Sequence, residues 1–198
     1  MMKKLTILII LVLGITLVSA QEKDEVQTLI SGEIESGGFG GPVVKFSEFM
    51  DGDFGVMVGG RGGWIINHAF TIGGGGYGIA NDIQVDSSRY LNFGYGGVEL
   101  GYIVASKKLI HFSFSTLIGA GGVGYRSSIS DEDFDEDTNG KSVFVIEPTL
   151  NIMLNVTNYF RIGLGASYRY IDGLKPNTLS NGDISGPSAT LSFKFGSF

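Results

Sequence analysis

Residues 158–173 read NYFRIGLGASYRYIDG, and from Phe160 onward alternate positions are mostly bulky and apolar. Phe160, Ile162, Leu164, Ala166, Tyr168 and Tyr170 share one parity; Arg161, Gly163, Gly165, Ser167 and Arg169 share the other. Successive side chains of an extended backbone point to opposite sides, so a period of two predicts a strand with unlike faces. Two guanidinium groups in so apolar a segment make the fold turn on one question: which face is inside.

The same alternation recurs along the chain. In 54–66, Phe54, Val56, Val58, Trp64 and Ile66 oppose Gly55, Gly59, Arg61 and Gly63. In 144–156, Phe144, Ile146, Pro148, Leu150, Ile152, Leu154 and Val156 oppose Glu147, Thr149, Asn151 and Asn155. Near the C-terminus, Ala189, Leu191, Phe193 and Phe195 oppose Ser188, Thr190, Ser192 and Lys194. Four less regular segments, 32–46, 70–79, 90–104 and 109–125, bring the expected total to eight strands. In 90–104, Leu91, Phe93 and Tyr95 share a face that Val98, Leu100 and Tyr102 continue one residue out of step. A bulge at Gly96-Gly97 is the expected remedy, and another is expected at Pro42, which has no amide donor.

Connections at 67–68, 105–108 and 157–158 are short. Those at 48–53, 80–89, 127–141 and 172–187 are longer and hold most of the Asp, Asn and Ser. Short and long links that alternate predict an all-β fold, an eight-stranded antiparallel up-and-down barrel with unlike ends. The face rich in Gly and Ser carries too little Lys and Glu to be a soluble exterior, but suits the crowded interior of eight strands. The bulky face, with Trp64, Tyr102, Phe112, Phe160, Tyr168, Tyr170 and Phe195 towards strand ends, then faces lipid between aromatic girdles. Arg161 and Arg169 accordingly point inward, because an arginine on the lipid face near the midplane costs about 2–4 kcal/mol. Parity supplies partners for a luminal ion-pair network: Glu33, Glu35, Glu99 and Glu147, with Arg61 and Lys194 sharing the interior. The alternative is a soluble, lipocalin-like barrel with its faces reversed around a small apolar ligand.

The N-terminus predicts the address. Lys3 and Lys4, the apolar run 5–18 and the small residues before Gln21 have the order of a secretory signal peptide, with cleavage after Ala20. The apolar run is shorter than the ~20 residues a membrane-spanning helix needs. Residues 21–31 then form a periplasmic lead-in to a barrel domain at 32–198. The chain of 198 residues has a net charge of −6; removing two lysines with the signal leaves −6 − 2 = −8. An acidic chain without a basic cluster argues against nucleic acid. With no cysteine there is neither a lipid-modified Cys anchor nor a disulfide.

In this architecture and its ending the chain resembles the small eight-stranded outer-membrane β-barrels of the OmpA/OmpX-like class of Gram-negative bacteria. The resemblance spans residues from about 32 to 198. It implies insertion in the outer membrane, contact with its lipid and lipopolysaccharide, and a monomer handled by the barrel-assembly machinery. That machinery reads a terminal aromatic preceded by alternating apolar residues. Leu191, Phe193 and Phe195 fit that signal, with Phe198 the rival terminal residue. Members of the class include structural proteins, adhesins and enzymes, so the fold does not fix the function.

Other motifs weigh little. Gly73, Gly75, Gly78 and Gly119, Gly121, Gly124 match G-x-G-x-x-G, but neither opens a helix, which pyrophosphate binding requires. Asp135, Asp137 and Asn139 begin like a calcium loop within 131–141, yet the twelfth position is Ile146 rather than Glu. No other cofactor is expected. His68 and His111 both fall on the periplasmic side of this topology, away from the outer rim where lipid A enzymes of this architecture work. A non-enzymatic structural or surface-interaction role through acidic outer loops is the expectation. Amino-terminal sequencing of the protein recovered from the cell envelope should begin at Gln21; an intact Met1 would refute the leader.

Overall fold

The computed structural model describes residues 35–86, 89–127, 140–174 and 179–198. The strands are β1 (Ser36–Phe49), β2 (Asp53–Ile66), β3 (Phe70–Ile79), β4 (Gln84–Asp86), β5 (Arg89–Val104), β6 (Ile110–Ser127), β7 (Lys141–Asn155), β8 (Phe160–Asp172) and β9 (Gly186–Ser197). A four-residue helix, α1 (Asn181–Ile184), lies between β8 and β9. All pairings are antiparallel, in the order β3-β2-β1-β9-β8-β7-β6-β5, and β3 pairs with β5 to close the ring. The barrel thus has eight strands, and β4 is a short strand of the connecting loop laid against β5.

The registers set the tilt. Stepping across paired residues from Phe195 through Gly40, Gly62, Gly74, Val98, Ile118 and Ile146 leads to Tyr170 on β8. Phe195 itself pairs with Phe160 on the same strand. One circuit therefore climbs 170 − 160 = 10 residues. At ~3.3 Å per residue and ~4.8 Å between strands, that stagger inclines the strands by about 40°, within the range of closed barrels.

The alternation seen in 158–173 holds in three dimensions. Arg161, Gly163, Ser167, Arg169 and Ile171 are buried inside β8, whereas Leu164, Tyr168 and Tyr170 are exposed outside. Outward positions within 40–46, 56–66, 70–78, 94–104, 110–122, 144–154, 160–170 and 187–195 include no charged residue. Towards the end that holds the C-terminus, Trp64, Phe70, Tyr102, Phe112 and Phe195 are exposed, and towards the other end Phe54, Phe144 and Tyr170. Ring pairs stitch neighbouring strands here, Phe70 with Tyr102 at 5.0 Å and Phe160 with Phe195 at 4.8 Å between centroids.

Three expectations need correction. Pairing of β5 with both β3 and β6 runs through Gly96 and Gly97 without a register shift, so no bulge is present there. Leu91, Phe93 and Tyr95 consequently face inward, and Val98, Leu100 and Tyr102 outward. The outward positions beside them are Gly94 and Gly96, next to Gly74, Gly76 and Gly78 of β3, so the wall is thin there and the bulk lies within. Pro42 also makes no bulge. The β1–β9 register is the same at Gly40↔Phe195 and Val43↔Ser192, and pairing merely lapses between them. A similar lapse surrounds Pro148, between Ile146↔Tyr170 and Thr149↔Ser167. Finally, the connection expected at 48–53 is a three-residue turn, Met50–Gly52, between Phe49 and Asp53.

The interior is layered. At the loop end an apolar cluster holds Phe49, Met57, Leu91, Phe93, Val143, Val145 and Ile171. Ile83 from the β3–β5 connection and Leu174, Leu179 and Ile184 from the β8–β9 connection fold in over it. Ser180 caps α1 through a hydrogen bond between its hydroxyl and Asp183, and the Asp183 carboxylate accepts from the Ser180 amide at 2.7 Å. Towards the terminal end the lining turns polar, with Ser113, Ser115, Asn151, Ser192 and most of the charges.

The narrow bore explains the inward glycines. A Cβ on Gly119 would lie 2.0 Å from the Gly96 carbonyl oxygen and 2.6 Å from Gly97 Cα, whereas one on outward Gly122 would meet nothing within 4 Å. Gly119→Val should therefore lower stability by at least the roughly 1–3 kcal/mol typical of overpacking. Gly122→Val should leave it unchanged or raise it slightly through strand preference. Urea midpoints of the two refolded variants would show whether the bore is this tight.

Candidate functional site

The charged side chains meet in the lumen because the strand registers bring odd-numbered positions of β1 to β8, and even-numbered positions of β9, to the inside. At mid-height Glu147 of β7, 1% exposed, is the centre. Its Oε2 accepts from Lys45 Nζ at 2.6 Å and from Tyr95 Oη at 2.5 Å, and its Oε1 from Ser167 Oγ at 2.7 Å. Lys45 also sits over the Tyr77 ring, 3.4 Å from its centroid, and hydrogen-bonds Tyr95 Oη at 3.0 Å. A buried ion pair is tolerable when its remaining lone pairs and protons are satisfied, and both groups meet that condition.

A second pair lies nearer the terminal end. Arg61 Nη1 is 3.1 Å from Glu99 Oε1, and its Nη2 is 3.4 Å from Ser192 Oγ. The two arginines of 158–173 behave differently. Arg169 is fully buried, yet no carboxylate of the described residues lies within ion-pair distance of it. Its Nε donates to the Ile184 carbonyl at 2.8 Å, its Nη1 to Ser47 Oγ at 3.3 Å, and its plane stacks on Phe49 at 4.3 Å. A planar, weakly hydrated guanidinium suits such a mixture of carbonyl and ring. Arg169 thereby fastens the folded-in β8–β9 connection to the wall. Arg161 donates to the Ser106 carbonyl at 3.4 Å and lies 3.9 Å from the Phe198 ring centroid. The ammonium of Lys194 lies over Phe39 at 4.5 Å.

The expected luminal set therefore needs adjustment. The structure brings Arg61 to Glu99 and assigns Glu147 to Lys45, a residue the sequence reading did not single out. Arg161 and Arg169 have no carboxylate partner among the described residues, because both acids are engaged elsewhere on the wall. Glu35 is not luminal: it is exposed at the terminal rim, where its carboxylate meets His68. Glu33 and the calcium candidates Asp135, Asp137 and Asn139 lie outside the described residues. Lys45 carried a readable signal, as a cation of opposite parity to Phe46 in an apolar strand. Tyr95 did not, since the expected bulge put it outside.

His68 lies in the turn between β2 and β3. His111 is buried at the terminal end of β6, its Nδ1 3.3 Å from the Lys108 carbonyl oxygen. At the C-terminus Leu191, Phe193 and Phe195 point outward, and Phe195 is exposed. Phe198 instead turns its ring onto Arg161, so the outward aromatic that continues the alternation is Phe195.

No family model matches the chain, and no curated protein matches it either. Solved structures do. Neisserial surface protein A superposes with a TM-score of 0.56 at 14% identity, over 84% of this chain and 99% of that one. The N-terminal β-barrel domain of Pseudomonas aeruginosa OprF gives 0.54 at 10%, over 81% and 96%. The outer-membrane protein OprG of the same organism gives 0.50 at 9%, over 83% and 97%. The fold is that of the small eight-stranded outer-membrane β-barrels.

Removing one partner of a buried pair strands the other charge, which typically costs about 3–5 kcal/mol. Glu147→Gln should lower unfolding stability by that order, because Lys45 loses its only carboxylate among the described residues. The double change Lys45→Met with Glu147→Leu should recover most of the loss. Urea titrations of the three refolded proteins would reveal whether the carboxylate is the centre of the mid-lumen network.

Proposed function

We propose that this chain is an integral outer-membrane barrel without catalytic activity, acting as a structural or surface-interaction protein through its loop end. The observation that carries this reading is the exterior: a continuous apolar band free of charge, with exposed aromatics towards both ends. Barrel strands of 10 to 18 residues exceed the ~9–11 that a tilted strand needs to cross a bilayer. A soluble barrel would solvate that band, and its interior would hold a ligand cavity where here packed side chains stand. In the bilayer the terminal end, with its short turns, faces the periplasm, and the loop end faces out.

The apolar plug at the loop end also speaks against a wide pore, since Phe49, Phe93, Ile171 and Ile184 fill the section. Lipid and lipopolysaccharide are then the lateral partners. The assembly machinery is the transient one, reading Leu191, Phe193 and Phe195 from the outward face. Any calcium bound by Asp135, Asp137 and Asn139 would modulate the outer loops and leave the barrel unchanged.

Trp64 is the sole tryptophan and is 69% exposed on the outer wall. In proteoliposomes its emission should be strongly quenched by lipids brominated on their acyl chains and little by aqueous iodide. Unheated protein from the outer-membrane fraction should also migrate faster than boiled protein. Quenching by iodide alone, with recovery in the soluble fraction, would reverse the faces and favour a carrier of small apolar ligands.

A further inference from the structure

Among the described residues the lumen holds five cations, Lys45, Arg61, Arg161, Arg169 and Lys194, and two carboxylates, Glu99 and Glu147. The two carboxylates are taken by Lys45 and Arg61. What remains at the periplasmic end is an opposed pair of like charges. Arg161 on β8 and Lys194 on β9 are directly registered partners, both facing inward, and each is 7% exposed. Like charges opposite one another across antiparallel strands repel, and burial removes the water that would screen them. No carboxylate of the described residues lies within ion-pair distance of either.

The unpaired buried groups are mostly donors. Arg61 Nε, Arg161 Nε, Arg169 Nη2 and Asn151 Nδ2 have no partner, His111 Nε2 is likewise unpaired, and Asn155 Oδ1 is the one acceptor among them. In native proteins such groups are rare, and each needs an explanation. Arg161 also lines a cavity of about 510 Å³ at the periplasmic mouth, together with His68, Ser106, Lys107, Asn155 and Phe198. An entrance bordered by Lys107, an unpaired guanidinium N–H and a second cation across the ladder share one chemical demand, for negative charge with several acceptor oxygens.

We infer that this periplasmic vestibule, on the orientation proposed above, binds a small soluble oxyanion of phosphate type, held at its rim by Arg161 and Lys107, with Lys194 behind Arg161 across the ladder. The anion offsets the charge of Arg161 and Lys107, to which Lys194 adds from across the ladder. The Phe198 ring, its centroid 3.9 Å from the guanidinium carbon, restrains the Arg161 side chain. Acyl chains do not fit a luminal site, so a lipid headgroup is not the ligand.

The test is titration of inorganic phosphate into the mature barrel, refolded in a non-ionic detergent and followed by phosphorus NMR. Arg161→Gln and Lys107→Gln should each weaken binding about tenfold, the loss of one charge-assisted contact. Lys141→Gln, a change of equal charge at the far end of the barrel, should have no effect. Arg161→Lys should bind better than Arg161→Gln, and heat-modifiable mobility certifies each variant as folded. Absence of phosphate binding by the unaltered barrel, or equal weakening by Lys141→Gln, would overturn the assignment. Phosphatidylglycerol added to the micelles should not displace the bound phosphate; displacement would make the headgroup the ligand and overturn the soluble-anion assignment.

Discussion

Closure of the hydrogen-bonded sheet is the constraint on which everything else rests. In a layer without water each backbone N–H and C=O must find its partner within the protein, and a sheet achieves this only by joining its first strand to its last. The β3–β5 pairing does that here. With eight strands and a stagger of ten residues the bore is then fixed, and the side chains must fit it. Glycine is required where backbones crowd, as at Gly119 against Gly96 and Gly97, and Pro42 and Pro148 stand at outward places where pairing lapses.

A bore of this size could be filled with apolar side chains throughout, and at the loop end it is. Lower down, the wall places charges inside, where an ion pair contributes little net stability compared with a well-packed apolar substitute. Such pairs do specify geometry. Glu147 is held by groups from β1, β5 and β8 while itself standing on β7, so one carboxylate ties together four strands around the ring. Arg169 does similar work for the connection between β8 and β9, joining the wall to Ile184 through a carbonyl. The interior thus specifies which strands and which loop lie across from one another, something the backbone ladder alone does not settle.

Much of this was legible in the chain because alternation is a local property. Strands β2, β7, β8 and β9 have one face of small or polar residues and one of large apolar residues, and their orientation followed from parity. β5 defeated that reading, since both faces carry aromatics and its outward face also carries glycine. Phasing by hydrophobicity then favours a bulge that the continuous pairing excludes. The partners of the luminal charges were legible only in part. Parity says that Arg61, Arg169 and Glu147 share the interior, but contact also depends on height along the axis, which comes from the stagger. Ten residues per circuit is a global quantity, and no single strand contains it. Arg169 illustrates the result: its height puts it among Phe49, Phe93 and a folded-in loop, above the carboxylates.

The distribution of charge follows from the same geometry. The lumen carries +5 − 2 = +3 among the described residues, while the whole chain carries −6, so everything outside the lumen sums to −6 − 3 = −9. Much of that acid is concentrated in one stretch of the sequence, DEDFDED at 131–137. A cation cluster enclosed by a low-dielectric wall has its field focused along the axis. Within the apolar wall, aromatic rings hold the unpaired cations from one side, as Phe198 does Arg161 and Phe39 does Lys194. A ring face supplies partial negative charge but no acceptor oxygen. It orients a guanidinium without satisfying its N–H groups, and Arg161 Nε is accordingly left without a partner at the terminal end of the lumen.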